Sequence, residues 1–525
     1  MKLKKLTALF TALTLLAGSL GVLPVSAAGG KKGDVNENGE VDVADAVLLA
    51  RYNAEDKEVH VSEQGVLNAD LNLDGKATAD DSVLLLGYLA GLNELPPDGS
   101  QTEYRSQNLM EGMTVKPAAG TEADDAFKLS QLDLSVNLLR QNCMESEGKN
   151  VLISPLSIAL ALCMTANGTK GQTLAEMEKV FGGGLSIDKI NDFFAGWLTS
   201  IEGEKEQKLY AADAIWVRNS KSMIDVPEDF LRTCADYYRA DAYMAPFDNT
   251  TVDDINGWVN TNTHEMINKI LDYKDLDADS VMVLANALAF EALWADPYEK
   301  HAVSEQVFIL ENGFRNIVEM MYSTEYQYLE SDGAIGFVKP YEGGKYSFAA
   351  VLPPKGKTVD EYLASLDGKG LKALLDSKTY DYDVNAYLPK FRFDFGNSLK
   401  KTLIALGMPT AFGQGEQDAD FTGLNSVPGA GTHIGDVLHK TFIDLSESGT
   451  KAAAVTAVIM KNESMPMPKE QKKVFLDHPF LFMILDNTNG LPVFFGTVKD
   501  IGKQEIVDVN PAAKQIQESD CAGDK

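Results

Sequence analysis

Two short stretches of the chain carry oxygen-bearing side chains at a spacing suited to a hard cation. Residues 34–45 place Asp34, Asn36, Asn38, Asp42 and Asp45 at the first, third, fifth, ninth and twelfth positions of a loop, with Gly39 at the sixth. Residues 70–81 repeat the arrangement with Asp70, Asn72, Asp74, Thr78 and Asp81 around Gly75. Glycine at the sixth position allows the tight turn that wraps ligands around one ion. The seventh residue ligates through its backbone carbonyl, so Glu40 and Lys76 are free to differ. The chemistry expected is the binding of two Ca2+ ions. Position twelve is Asp in both loops, shorter than the Glu of an EF-hand.

A second set of residues invites a catalytic reading. Ser154, Ser157, His439 and several aspartates could be assembled on paper into a hydrolase triad. No G-x-S-x-G elbow is present, and His264-Glu265 lacks the second histidine of a zinc protease motif. Buried polar groups that pair with one another explain the same residues without chemistry. The chain is expected not to be an enzyme.

The third stretch is chemically inert and unusually regular. From Glu447 to Val458, Thr450, Ala452, Ala454, Thr456 and Val458 fall on one face of an extended strand, and Lys451, Ala453, Val455 and Ala457 on the other. Gly449 gives backbone freedom at its base. Alanine prefers helix, so propensity and strand pattern disagree here, as expected where one segment serves two states.

The surrounding elements must position these groups. Each cation loop leads into a Leu-rich helical pattern, Val47 to Tyr52 and Val83 to Leu89. Residues 96–123, with Pro96-Pro97-Asp98-Gly99-Ser100 and few apolar positions, read as a linker. From Asp124 onward helices come first (Phe127 to Arg140, a run after Pro155, and Pro227 to Tyr238). Strand patterns follow at Ser280 to Phe290, Tyr346 to Leu352, Val384 to Phe395, Phe442 to Leu445, Phe480 to Ile484 and Val493 to Val498. This order fits an α+β domain with large, largely antiparallel sheets.

Composition bounds the function. The 525 residues, 45% hydrophobic and 24% charged, suffice for one large domain and a small one. A net charge of -30 argues against a nucleic-acid partner. Residues 1–27 read as an export signal: Lys2, Lys4 and Lys5, an apolar run from Leu6 to Val22, then the small-residue site Val25-Ser26-Ala27. Secretion is expected, with no membrane span once the signal is removed. Four cysteines in so long a chain do not make a disulfide framework.

Residues 33–95, with paired loops ending in Asp and one helix after each, resemble a dockerin module. That resemblance implies a cohesin partner on a cellulosome-type scaffold of polysaccharide-degrading bacteria. It also implies recognition through Val43, Ala44, Arg51 and Tyr52 and through Ala79, Asp80, Gly87 and Tyr88.

Asn150 to Ala159, Asn286 to Phe290 with Trp294, Leu388-Pro389-Lys390-Phe391, Leu406-Gly407-Met408, His439-Lys440 and Asp477 to Phe482 together resemble a serpin. The likeness spans residues 124–505 and leaves 506–525 as a tail. It implies the α+β serpin fold: a large central sheet, further sheets, surrounding helices and an exposed reactive loop. It implies a suicide inhibitor of serine proteases, no cofactor for this domain, and a shutter cluster of Ser154, Ser157, Asn286 and His439 beside the breach tryptophan Trp294. Glu447, Gly449, Thr450, Ala452, Ala453, Ala454 and Thr456 become the hinge. Counting along the family's register puts the reactive bond at Glu463-Ser464, with Met460-Lys461 and Lys461-Asn462 as alternatives. A glutamate there suits elastase- or subtilisin-like proteases. The alternative function is a serpin-fold binding or structural protein without inhibition.

Overall fold

The computed structural model describes residues 32–38, 41–54, 56, 59, 61–71, 77–89, 106–201, 208–276, 281–450 and 469–504. The expected signal (1–27) and tail (506–525) lie outside them. The chain divides into two compact units, Met1–Tyr104 and Arg105–Lys525.

The small unit is all-helical among its described residues: α1 (Val43–Asn53), α2 (Glu63–Ala69) and α3 (Ala79–Leu89). Helix α1 starts before the expected Val47 because Asp42 caps it. The Asp42 carboxylate accepts the Ala44 N–H at 2.6 Å, and Asp45 accepts the Asp42 N–H at 2.9 Å. Val35, Ala46, Leu49, Ala69, Leu71 and Leu85 form the core.

The large unit begins earlier than composition suggested. Residues 106–123, part of the expected linker, are hydrogen-bonded along its surface. Gln107–Asn108 form strand β1, the Lys116 N–H donates to Asp236 Oδ1 at 2.7 Å, and the Thr121 N–H donates to the Asp192 carbonyl at 2.9 Å. A polar segment with few apolar residues can still be fixed this way when its backbone groups find partners. The expected linker is thus ordered from residue 106 onward, where it meets the large unit.

Helices α4 (Asp125–Glu145), α5 (Pro155–Ala166), α6 (Gly171–Gly182), α7 (Ile187–Ile201), α8 (Glu228–Tyr238), α9 (Asn249–Asn262), α10 (Val359–Ser365), α11 (Gly368–Asp376) and α12 (Lys400–Leu406) surround three sheets. All residues of α5 are buried, so it is an internal support and not a surface helix.

The largest sheet joins β1, β4 (Asp241–Ala245), β3 (Lys208–Arg218), β5 (Met282–Leu293), β14 (Gly449–Thr450), β13 (Val437–Leu445) and β12 (Phe391–Ser398), in that order. A second holds β2 (Val151–Ile153), β17 (Leu491–Val498), β16 (Phe480–Asp486), β10 (Tyr346–Leu352), β9 (Ala334–Pro340) and β8 (Tyr328–Ser331). Its strands β10, β16 and β17 are buried throughout, which explains their unbroken apolar runs. The third joins β15 (Glu470–Phe475), β11 (Tyr382–Pro389), β7 (Arg315–Glu325) and β18 (Lys503–Gln504), with β6 (Val303–Ile309) also on β7. The single run expected from Val384 to Phe395 is two strands in different sheets, broken at Lys390. Pairing is mostly antiparallel, with parallel pairs β3–β4, β5–β13 and β11–β15. Among the described residues no helix is long and apolar enough to cross a membrane.

Candidate functional site

The seam between β5 and β13 is the feature around which the expected site residues gather. At its lower end the two strands pair directly, with Leu284 to Ala287 opposite Val437 to Lys440 and Asn286 opposite His439. At its upper end they are held apart by β14. Gly449 pairs with Leu293, and Thr450 pairs with both Ala292 and Leu445. The Gly449 φ is +149°, and a Cβ there would stand 2.1 Å from the Ala292 carbonyl oxygen. Only glycine fits this pairing.

The lower end is a buried polar cluster. Ser154 caps α5, its Oγ accepting the Ser157 N–H at 3.3 Å, and Pro155 occupies the first turn. The Ser154 N–H donates to His439 Nε2 at 3.1 Å. The Ser157 hydroxyl donates to Asn286 Oδ1, and Asn286 Nδ2 donates to the Ser157 carbonyl at 2.9 Å. The same amide donates to Asp213 Oδ1 at 2.5 Å. Sequence reasoning missed Asp213. A lone carboxylate within the Ala211-Ala212-Asp213-Ala214 run of β3 was the signal that could have found it.

Both titratable members of this cluster are displaced by their surroundings. Burial pushes the Asp213 carboxyl up to about 7, against the pull of the Asn286 hydrogen bond. Burial also pushes His439 down to about 3. A neutral imidazole that accepts at Nε2 carries its proton on Nδ1. That Nδ1 has no hydrogen-bond partner among the described residues. The histidine thus meets a backbone N–H and neither a serine hydroxyl nor a carboxylate, so the parts of a hydrolase triad are not assembled.

The upper end is aromatic and ionic. Trp294 is buried, donates from Nε1 to the Ser446 carbonyl at 2.9 Å, and stacks on Tyr341 with centroids 4.4 Å apart. The Tyr341 and Thr450 hydroxyls are 2.7 Å apart, which ties β14 to this stack. The backbone N–H groups of Trp294 and Tyr298 donate to Ser448 and Glu447 at 2.9 and 3.0 Å. Lys390 bridges Glu447 at 2.9 Å and Glu319 at 3.2 Å. Burial alone would raise the Glu447 carboxyl. Its backbone hydrogen bond and the Lys390 ammonium outweigh that and hold it below the usual carboxylate range.

Behind the stack lies a fully buried ion pair that the sequence did not suggest. Lys339 Nζ is 2.7 Å from Glu325 Oε1, with side chains 2% and 7% exposed, so both charges are desolvated together. The same ammonium lies 4.4 Å over the Tyr298 ring and 5.7 Å from that of Trp294.

The expected hinge residues Ala452, Ala453, Ala454 and Thr456 and the expected reactive bond Glu463-Ser464 lie outside the described residues. So do Glu40, Asn72, Asp74 and Lys76 of the cation loops. In the first loop the Asn38 N–H donates to Asp34 Oδ1 at 3.0 Å, and Asp45 accepts the Asn36 N–H at 3.0 Å. Asp81 plays the part of Asp45 in the second, accepting from the Leu71 and Thr78 N–H groups at 2.8 and 2.7 Å. Among the described residues no group of three His, Cys, Asp or Glu is gathered as a metal cluster. Val43, Ala44, Arg51 and Tyr52 on α1 and Ala79, Val83, Leu86 and Tyr88 on α3 are exposed.

The family model described as "Serpin (serine protease inhibitor)" matches residues 129–501, and that described as "Dockerin type I domain" matches residues 32–90. An uncharacterised serpin-like protein of Thermococcus kodakarensis is 31% identical over 360 residues, 67% of this chain and 81% of the relative. Intracellular coagulation inhibitor 2 of Tachypleus tridentatus is 28% identical over 368 residues, 68% of this chain and 87% of the relative. The solved structure of tengpin, a thermophilic serpin in its native state, matches with TM-score 0.70 and 41% identity. That match covers 75% of this chain and 100% of tengpin.

Proposed function

The chain belongs to the serpin family, with a type I dockerin module at its N-terminus, and from this premise we propose that it is a secreted suicide-type inhibitor of serine proteases, tethered to a cohesin-bearing scaffold. The observation that carries the reading is the half-open seam: paired at Asn286 and His439, and wedged by Thr450 at the other end. After cleavage, the freed arm continues β14 down the seam. Continuing the register of Gly449 and Thr450 sets Ala452 opposite Phe290 and Ile443, and Ala454 opposite Leu288 and Thr441. Thr456 then comes opposite both Asn286 and His439, which now pair with each other. Both registers meet at this residue because β5 and β13 keep one offset along the seam, and its small hydroxyl suits the polar cluster. Full insertion must therefore unzip the lower end, and the energy released drags and distorts the acylated protease.

The scissile bond in this reading is Glu463-Ser464, which suits elastase- or subtilisin-like proteases. The test is incubation with such enzymes. A detergent-resistant covalent complex, with a released fragment whose mass begins at Ser464, is expected. Cleavage by every protease tried, with each leaving active, would make the chain a non-inhibitory serpin.

For the dockerin, the donor chemistry fits Ca2+. Asp34, Asn36, Asn38, Glu40, Asp42 and Asp45 would hold one ion and Asp70, Asn72, Asp74, Lys76, Thr78 and Asp81 the other, Glu40 and Lys76 through their carbonyls. Supporting this, Asp34 and Asp45 of the first loop and Asp81 of the second are buried in so small a unit, where a divalent cation would offset their charge. Chelation is expected to abolish cohesin binding and to lower the thermal midpoint of the small unit. Binding unchanged in chelator would remove calcium from the reading.

A further inference from the structure

The third sheet presents an unusual face beside the point where the chain returns from the reactive loop. Register places Tyr322 opposite Tyr387, and Tyr387 opposite Phe475, on three neighbouring strands. Their ring centroids are 5.0 and 4.7 Å apart. Their sequence neighbours Met321, Leu388 and Val474 are buried, so the aromatic row lies on the outward side. The polar groups beside it are fixed: Tyr322 Oη donates to Asn385 Oδ1 and Asn385 Nδ2 to Gln471 Oε1, both at 2.9 Å, and Gln471 Nε2 donates to the Asp383 carboxylate at 3.2 Å. Lys473 completes the platform, its ammonium 4.6 Å over Phe475 and 5.2 Å over Tyr387. Among the described residues Lys473 makes no ion pair.

We propose that this face, built on Tyr322, Tyr387, Phe475 and Lys473, is a second docking surface for the target protease and selects proteases with an acidic rim. The proposal rests on the inhibitory reading above. Three observations carry it. In a chain of net charge -30, Lys473 stands on the outward side, while its neighbour Lys472 turns to the other side over Tyr382 and pairs with Glu470 at 3.5 Å. A cation parked on aromatic rings is available to a partner's carboxylate, and tyrosine-rich, prearranged patches make strong contacts at low entropic cost. Finally, Lys469 lies five positions after Ser464, at most about 18 Å of extended chain. A protease of about 250 residues has a radius of gyration near 18 Å, so one gripping that bond must overhang the end of this sheet.

The experiment uses the full chain and two surface-charge variants of one subtilisin-like protease, acidic-rimmed and basic-rimmed, with equal activity on a small substrate. Second-order rates of inhibition are measured for wild type, Tyr322→Ala and Lys473→Glu across a salt series. Against the acidic-rimmed enzyme at low salt, Lys473→Glu is expected to slow association about tenfold and Tyr322→Ala about fivefold. The Lys473→Glu difference should shrink as salt rises, and the basic-rimmed enzyme should not be slowed by it. Because these positions are at least partly exposed, unchanged unfolding midpoints verify folding. Wild-type rates for both variants at every salt would overturn the proposal and leave inhibition standing. No covalent complex with wild type would instead remove the inhibitory reading itself. Self-association of wild type lost in Tyr322→Ala, with inhibition rates unchanged, would assign the face to a second copy and overturn the proposal.

Discussion

At the lower end of the β5–β13 seam the contacts are hydrogen bonds sealed from water: two serines, an asparagine, an uncharged histidine and Asp213. At the upper end they are ions and rings: Lys390 between two glutamates, Lys339 paired with Glu325, and Trp294 on Tyr341 with Thr450 beneath. The lower end closes the sheet, while the upper end has already admitted its first inserted residues. One therefore sets how firmly the seam stays shut, and the other sets whether a strand can start into it.

The sharpest way to break this contrast is Thr450→Arg. A guanidinium buried against Tyr341 without a partner costs several kcal/mol, on the order of a thousandfold in seating of that residue. Cleavage should persist while detergent-stable complex disappears on a gel; an undiminished complex yield would contradict the wedge. Next in size is Lys339→Ala, which strands a buried Glu325 and should cost about 3–5 kcal/mol in the first guanidinium transition. The double change Lys339→Met with Glu325→Leu should recover most of that loss.

Asp213→Asn probes the other end and has a definite pH signature. The folded chain keeps the Asp213 proton up to about pH 7, whereas the unfolded chain releases it near 3.8. The native state is thus penalised increasingly as pH rises between those values. Removing the carboxyl should stabilise it by up to about 4 kcal/mol at pH 8 and by almost nothing at pH 4. His439 runs the opposite way: held neutral down to about 3, it penalises the native state as pH falls below the ordinary histidine range. Thermal midpoints from pH 4 to 9 for wild type and Asp213→Asn would show both slopes. The smallest effect is Lys390→Ala, whose partly exposed bridge should contribute less than about 1 kcal/mol and vanish in high salt.

Much of this was legible in the chain itself. The long helix near Phe127, the helix after Pro155 and the apolar runs of β10, β16 and β17 are local patterns, each spelled by neighbours in sequence. What escaped is what depends on strands meeting. Lys339 and Glu325 lie on β9 and β7, in different sheets, and neither has a motif around it. Asp213 was hidden in an alanine run whose partner sits far along the chain on β5. Residues 106–123 lack the apolar pattern of an element because backbone hydrogen bonds hold them, and the backbone leaves no signature in composition.

Thr450 in its slot also changes how insertion should be timed. Adding a strand to a sheet ordinarily begins with an improbable event, the capture of a free segment and the closure of its loop before any pairing rewards it. Here Gly449 and Thr450 have already made that capture, with bonds to both flanking strands. In the inhibitory mechanism proposed above, cleavage leaves only propagation, one residue after another down a pre-started zipper. Such a race against deacylation has no lag at its start, and its pace is set at the far end, where the Asn286–His439 pair must let go.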